Sequence, residues 1–253
     1  GPGASRNLGM KNAKSEFIGF VDADNFYLPN RFITTKEIFR KNPDCEGVYE
    51  VIGNYIQDDA GLHRWLNANR EPDKLTGLTK PVEPQQLASV LISGGYGSLT
   101  LDGLVLKSHV LEKSGFMNEN LRLHQDTDFI IRAAIVANLY PGRLDQPVAL
   151  RGVHDHNRLS APRSQAKDYR NHMLFWKTLF DWVKLNSNQE IIGLILKQII
   201  SYTKSHKCSR KFQVEFLPTR MIWAIRLLRL LLYPEILFLL INRRIPLGLN
   251  ENK

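Results

Sequence analysis

SEFIGFVDADNFYLP, Ser15 to Pro29, begins as an apolar strand and ends on two aspartates one residue apart. Phe17, Ile18, Phe20 and Val21 supply the strand and Asp22 and Asp24 close it. Carboxylates at the end of a buried strand lose solvation unless something holds them. Two readings compete. Aspartate and asparagine form turns, and Asp24 or Asn25 would also cap a helix starting near Pro29. Alternatively, the pair lies at the carboxyl edge of an α/β sheet, where ligands bind, and holds a divalent cation against a phosphate.

Outward from this stretch, the first half of the chain alternates helix and strand. Ala4 to Lys14 has helical spacing, and Glu16 to Val21 reads as a strand. Pro29 to Arg40 reads as a helix and Gly47 to Ile56 as a single Val/Ile/Tyr-rich strand. Gln57 to Gly61 reads as a turn, and Arg64 to Pro84 as a polar loop. Glu83 to Ile92 is expected to be helical, Ser98 to Leu106 a strand, and Ser108 to Ser114 a short helix ended by Gly115. A helix over Asp126 to Asn138 and a strand over Pro147 to Val153 follow, and beyond Pro162 the pattern is helical almost throughout. The pattern contains no internal repeat, and the opening Gly1–Pro2–Gly3 lacks the charged-then-apolar form of a targeting segment.

With 253 residues, 43% hydrophobic and 23% charged, the chain has the composition of an ordinary globular protein rather than a disordered one. Cys45 and Cys208 are far apart and form no Cys-x-x-Cys pair, which argues against a disulfide scaffold or zinc knuckle and fits a reducing, cytoplasmic setting. The net charge of +9 is uneven. Residues 1–196 carry 23 Lys+Arg against 22 Asp+Glu (+1), and residues 197–253 carry 11 against 3 (+8). Within that tail, MIWAIRLLRLLLY (Met221–Tyr233) and ILFLLI (Ile236–Ile241) are separated by Pro234–Glu235, and Arg226 and Arg229 interrupt the first run. No uninterrupted run approaches the roughly 18 residues of a spanning helix. Two alternatives stay open for the segment: a helix lying in a membrane interface, or a helix pair packed on protein. Aromatic residues do not interleave with the basic ones as nucleic-acid stacking requires.

Two further stretches join the opening one. GPGASRNLG (Gly1–Gly9) precedes the strand and its Asp22–Ala23–Asp24. GFMNENLRLHQDTDFIIR (Gly115–Arg132) lies downstream. Together they resemble the family 2 glycosyltransferases of GT-A fold. In that family a Gly/Pro turn leads into an Ala-Arg-Asn-x-Gly helix, the next strand delivers Asp-x-Asp, and a Gly-Phe-Asp-Glu…Glu-Asp-x-Asp…Arg segment follows. Ser5 stands here for the family's alanine and Gln125 for its glutamate. The resemblance implies a Rossmann-like α/β sheet over residues 1–160, a partial catalytic domain lacking the family's amino-terminal nucleotide-binding units. A helical extension would occupy 161–253.

It further implies an inverting transfer of sugar from a nucleotide-sugar donor, a UDP-sugar by expectation, to a polysaccharide, lipopolysaccharide or other glycan or lipid-linked precursor. Arg6, Asn7, Asp22 and Asp24 would contact the donor. Mg²⁺ or Mn²⁺ would sit on Asp24, with Asp22 a weaker ligand and one histidine of Arg151–Arg158, His156 ahead of His154, completing the shell. Arg151 or Arg158 would alternatively clamp a diphosphate. Asp126 would act as general base on the acceptor hydroxyl, unless it is a plain helix N-cap. Arg132 reads as a structural partner of Asp128 at i,i+4. A catalytically inactive scaffold and a metal-dependent nucleotidyltransferase are the rival readings. The expected place of action is the inner face of the cell membrane, held by an anionic surface against residues 219–253, without nucleic acid.

The basic tail generates a direct test. In sedimentation with anionic liposomes, the full-length protein should pellet with the lipid and a version lacking residues 219–253 should stay in the supernatant. Equal behaviour of the two would assign the tail to protein packing.

Overall fold

The computed structural model of the chain describes residues 1–155, 164–186 and 189–205, the last three without their side chains. His156, Arg158, Cys208 and the tail over 219–253 lie outside the described residues. Elements follow in chain order: α1 (Pro2–Asn12), β1 (Phe17–Gly19), β2 (Asn25–Tyr27), α2 (Ile33–Lys41), β3 (Gly47–Tyr49), β4 (Gly53–Ile56), α3 (Asp59–Asn67), α4 (Pro84–Ser93), β5 (Leu104–Lys107), α5 (Val110–Ser114), α6 (Gln125–Val136), β6 (Leu139–Pro141), β7 (Ala149–Val153), α7 (Gln165–Leu185) and α8 (Gln189–Ser205). A single 3₁₀ turn, Leu101–Gly103, leads into β5.

The strands form two sheets. One has the order β1-β5-β3-β6, with β5 antiparallel to both β1 and β3, and β6 parallel to β3. The other has the order β2-β7-β4, with β7 antiparallel to β2 and parallel to β4. The architecture is therefore α/β with mixed sheets. Strand β1 is an edge, and Phe17 on it and Val21 just beyond are exposed. A groove of about 440 Å³ runs along this edge between α1 and β1, lined by residues from Arg6 to Val21.

The expected single strand over Gly47–Ile56 is two strands in different sheets. The break falls at Glu50, which is 1% exposed and whose carboxylate is ion-paired with the equally enclosed Arg31. Thr35 Oγ1 donates to the same carboxylate (2.8 Å), and the Arg143 amide donates to its other oxygen (3.1 Å). The Glu50 amide donates to Gly103 O (2.8 Å). A side chain at Gly103 would collide with the Glu50 carbonyl, and one at Gly142 with the Glu50 side chain, so Glu50 passes through a slot that only glycines leave open. The Arg31 guanidinium also stacks over Tyr27 and Phe32, at 5.3 and 5.1 Å from their ring centroids. Burial pushes its pKa down, and the Glu50 charge opposes that shift.

Other boundaries move for local reasons. The helix expected from Pro29 begins at Ile33, because Asn30 adopts a left-handed conformation (φ 64°) and delays it by a turn. Residues 59–67 are helical rather than looped. Asp58 caps that helix through the Gly61 amide (2.5 Å), and the buried Trp65 anchors it. Residues Gly1–Ile199 form one compact unit, which includes α7 and most of α8. Phe175, Leu179, Val183 and Ile195 on these helices join the core around Phe129, Leu104 and Tyr49. Among the described residues, no helix is long and apolar enough to cross a membrane.

Removing one partner of the Arg31–Glu50 pair leaves the other charge buried alone. Arg31→Ala should lower unfolding stability in urea by about 3–5 kcal/mol, and Arg31→Met combined with Glu50→Leu should lose less than Arg31→Ala does.

Candidate active site

The two aspartates of the opening stretch lie in a turn between the sheets. The Asn25 amide donates to Asp22 O (3.0 Å), closing a four-residue turn over Asp22–Asn25. The turn reading of these residues is thus correct for the backbone. The Asp22 carboxylate is held at 2.5 Å by Arg6, which α1 projects across the end of β1. Asp24 is partly exposed, and His154, immediately after β7, brings Nε2 to 3.4 Å from its Oδ2. Among the described residues His154 is the histidine beside Asp24, and His156, which expectation put ahead of it, lies outside them.

Asp102, in the 3₁₀ turn, is a functional candidate that the sequence reading missed. It is 4% exposed. Its Oδ1 accepts the Asp22 amide (2.9 Å) and its Oδ2 accepts Nδ2 of Asn25 (2.9 Å). Burial raises its pKa, the two hydrogen bonds oppose the shift, and the Asp22 charge adds to it. Asn25 in turn accepts the Gly152 amide on Oδ1 (3.1 Å), tying the turn to β7. A signal was present in the sequence: an aspartate between Leu101 and Leu104 is a charge inside an apolar run, and buried charge is the informative exception to apolar cores.

Arg151, on β7 opposite Asn25, is the electrostatic centre of the cluster. Burial lowers its pKa, and the charges of Asp102, Asp22 and Asp126 push it back up while Arg70 lowers it further. The charges of three carboxylates from three separate stretches thus act on one guanidinium. Asp126, reached in this way, occupies the second position of α6 and not the cap, which is His124 in a left-handed conformation (φ 64°). Its Oδ1 accepts the amide of Thr127 (2.8 Å), and Oδ2 makes no hydrogen bond with the described residues.

The neighbours of Asp126 are structural. Asp128 is buried and pairs with Nε and Nη2 of Arg132 (2.9 and 2.7 Å), as the i,i+4 spacing predicts. Burial raises the Asp128 pKa, and Arg132 holds it back. Arg132 also donates to the carbonyls of Ser114 and Phe116. Asn7, expected on the donor, is turned inward. Its Nδ2 donates to Met117 O (2.9 Å) and Glu119 Oε1 (2.8 Å), and its Oδ1 accepts the Met117 amide (2.9 Å). Its amide therefore fixes the loop after Gly115. Gln125 is buried too, with its amide nitrogen oriented to donate to Leu121 O (2.9 Å) and Arg122 O (3.2 Å). An ionised glutamate there would face two carbonyl oxygens, which accounts for the departure at this position.

Among the described residues, no group of three or more His, Cys, Asp or Glu side chains is arranged to hold a metal ion. Asp24 and His154 nonetheless form a two-donor pair, and one or two protein donors with phosphate oxygens and water completing the shell is how Mg²⁺ is bound beside phosphates. A site of this kind suits neutralising a departing phosphate group.

Residues 1–87 match the family model described as glycosyl transferase family 2. An uncharacterized glycosyltransferase of Haemophilus influenzae is 21% identical over 150 residues, which cover 58% of this chain and 46% of that protein. The crystal structure of S. aureus TarS 1-349 is similar in fold, with a TM-score of 0.56, 14% identity, and coverage of 84% of this chain and 56% of that one. TarS 1-349 in complex with UDP gives a TM-score of 0.55 at 15% identity, over 85% and 57% of the two chains. The chain thus spans about half the length of the relatives it matches.

Proposed function

We propose that this chain, whose residues 1–87 match the model of glycosyl transferase family 2, serves an inverting transfer of a sugar from a nucleotide-sugar donor, a UDP-sugar, to a hydroxyl of a glycan or lipid-linked acceptor. The observation that carries the reading is the meeting of Asp24 with His154 just past the end of β7, while the charges of Asp22 and Asp126 both act on Arg151 of the same strand. Each has a separate task. Asp24 and His154 would hold Mg²⁺ or Mn²⁺, which would supply the counter-charge for a leaving diphosphate. Asp22, neutralised on one side by Arg6, turns its remaining oxygen to the donor. Arg151 balances the surrounding carboxylates. Asp126 takes the proton of the attacking hydroxyl on the acceptor side, where its unbonded oxygen is the basic atom.

UDP enters this reading because TarS 1-349 has been crystallised with it and shares the fold. A polysaccharide or lipopolysaccharide precursor as acceptor, and action at the inner face of the cell membrane, rest on the charge and apolar pattern of residues 219–253.

Substitutions separate the donor side from the acceptor side. Asp126→Asn keeps shape and hydrogen bonding, so donor and metal binding should persist while transfer falls by about 10²–10⁴. Asp24→Ala should weaken metal dependence and donor turnover together. Metal titration of donor binding and acceptor-dependent turnover measure the two effects. Near wild-type transfer by Asp126→Asn would remove the base assignment, and unchanged metal dependence in Asp24→Ala would remove the cation site.

A further inference from the structure

Asp24 and His154 come from distant stretches, and their 3.4 Å separation has to be set by something other than their own contact. Neither belongs to a strand: Asp24 sits in the turn before β2 and His154 just past the end of β7. Besides the β2–β7 ladder that begins at Asn25 and Arg151, a chain of side-chain hydrogen bonds through one buried carboxylate links the two segments. Asp102 holds the Asp22 amide on one oxygen and the Asn25 side chain on the other, and Asn25 grips the Gly152 amide two residues before His154. Asp102 is itself fixed from below, since Arg31 donates to its carbonyl (3.3 Å).

The donor and acceptor pattern of this chain admits one solution. Its two ends, the Asp22 and Gly152 amides, are backbone donors that cannot be changed by side-chain rotation. Between them, Asp102 offers two acceptors and Asn25 one donor and one acceptor, so every group is matched. With asparagine at 102, one donor faces another donor whichever way the two amides turn. With the two side chains exchanged, asparagine at 102 and aspartate at 25, the match is restored and the net charge is unchanged.

We propose that Asp102 is a positioning residue that locks the Asp22–Asn25 turn to β7 and so sets the spacing of Asp24 and His154. The inference rests on the cation site proposed above, and the test reads the two apart. In the full-length protein, Mn²⁺ is titrated in the presence of UDP, and amide hydrogen exchange is followed at residues 22–25 and 152 without metal. Asp102→Asn should weaken Mn²⁺ binding by about 10–100-fold, the effect usual for a residue orienting a metal ligand. It should also speed exchange at the turn while leaving exchange in α6 unchanged. The Asp102→Asn/Asn25→Asp pair should bring both readouts back to within about threefold of the wild type.

Wild-type Mn²⁺ affinity and wild-type exchange in Asp102→Asn would overturn the proposal. So would a folded exchange pair that fails to recover. If Asp102→Asn does not fold, recovery in the double variant decides alone. If the wild type binds no Mn²⁺ with UDP, the cation site fails, and the exchange rates at 22–25 and 152 still decide whether Asp102 locks the two segments.

Discussion

The buried pair of Arg31 and Glu50 is the contact on which the arrangement depends. Glu50 marks the residue where the chain leaves one sheet for the other, and its carboxylate collects Arg31 and Thr35 from the α2 region and the amide of Arg143 after β6. Arg31 extends the same network to the carbonyl of Asp102, directly beneath the aspartate turn. Apolar residues would fill this volume with no desolvation penalty. Two ions and the glycines around them instead impose one relative placement on the strand crossing and the 3₁₀ turn. Specificity of position is the role this pair fills, because a hydrophobic contact is non-directional and a hydrogen-bonded charge is not.

A second polar network shapes the loop ahead of Asp126. Asn7 from α1 and Arg132 from α6 grip the backbone between Ser114 and Met117 from opposite ends, each through carbonyls or amides rather than side chains. The two family-like stretches are therefore physically joined: the asparagine of the first holds the loop that opens the second. Their joint presence in the sequence reflects this contact as well as any chemistry. Arg132 serves three acceptors from two directions, a geometry that the planar guanidinium supports and an ammonium does not.

Much of this was legible in the sequence where a residue's role depends on its near neighbours. The i,i+4 spacing of Asp128 and Arg132 specifies their pairing, and the apolar run before Asp22 specifies a strand ending at the site. What stayed hidden depends on distant partners. The strand over Gly47–Ile56 is continuous in propensity, and its division at Glu50 is imposed by Arg31, Gly103 and Gly142. Residues 59–67 read as polar because only Trp65 and Gly61 are buried there. The inward turn of Asn7 requires Met117, 110 residues away. His154 meets Asp24 across 130 residues, a pairing for which neither local stretch carries a signal.

The edge position of β1 among the described residues has a consequence for what can pack beside it. An edge strand presents unpaired backbone donors and acceptors, and here apolar Phe17 and Val21 lie exposed along it. The strand is only three residues long, which limits how firmly another chain could pair with it. A further strand laid along β1 would nonetheless meet both its unpaired backbone groups and the apolar cover of Phe17 and Val21.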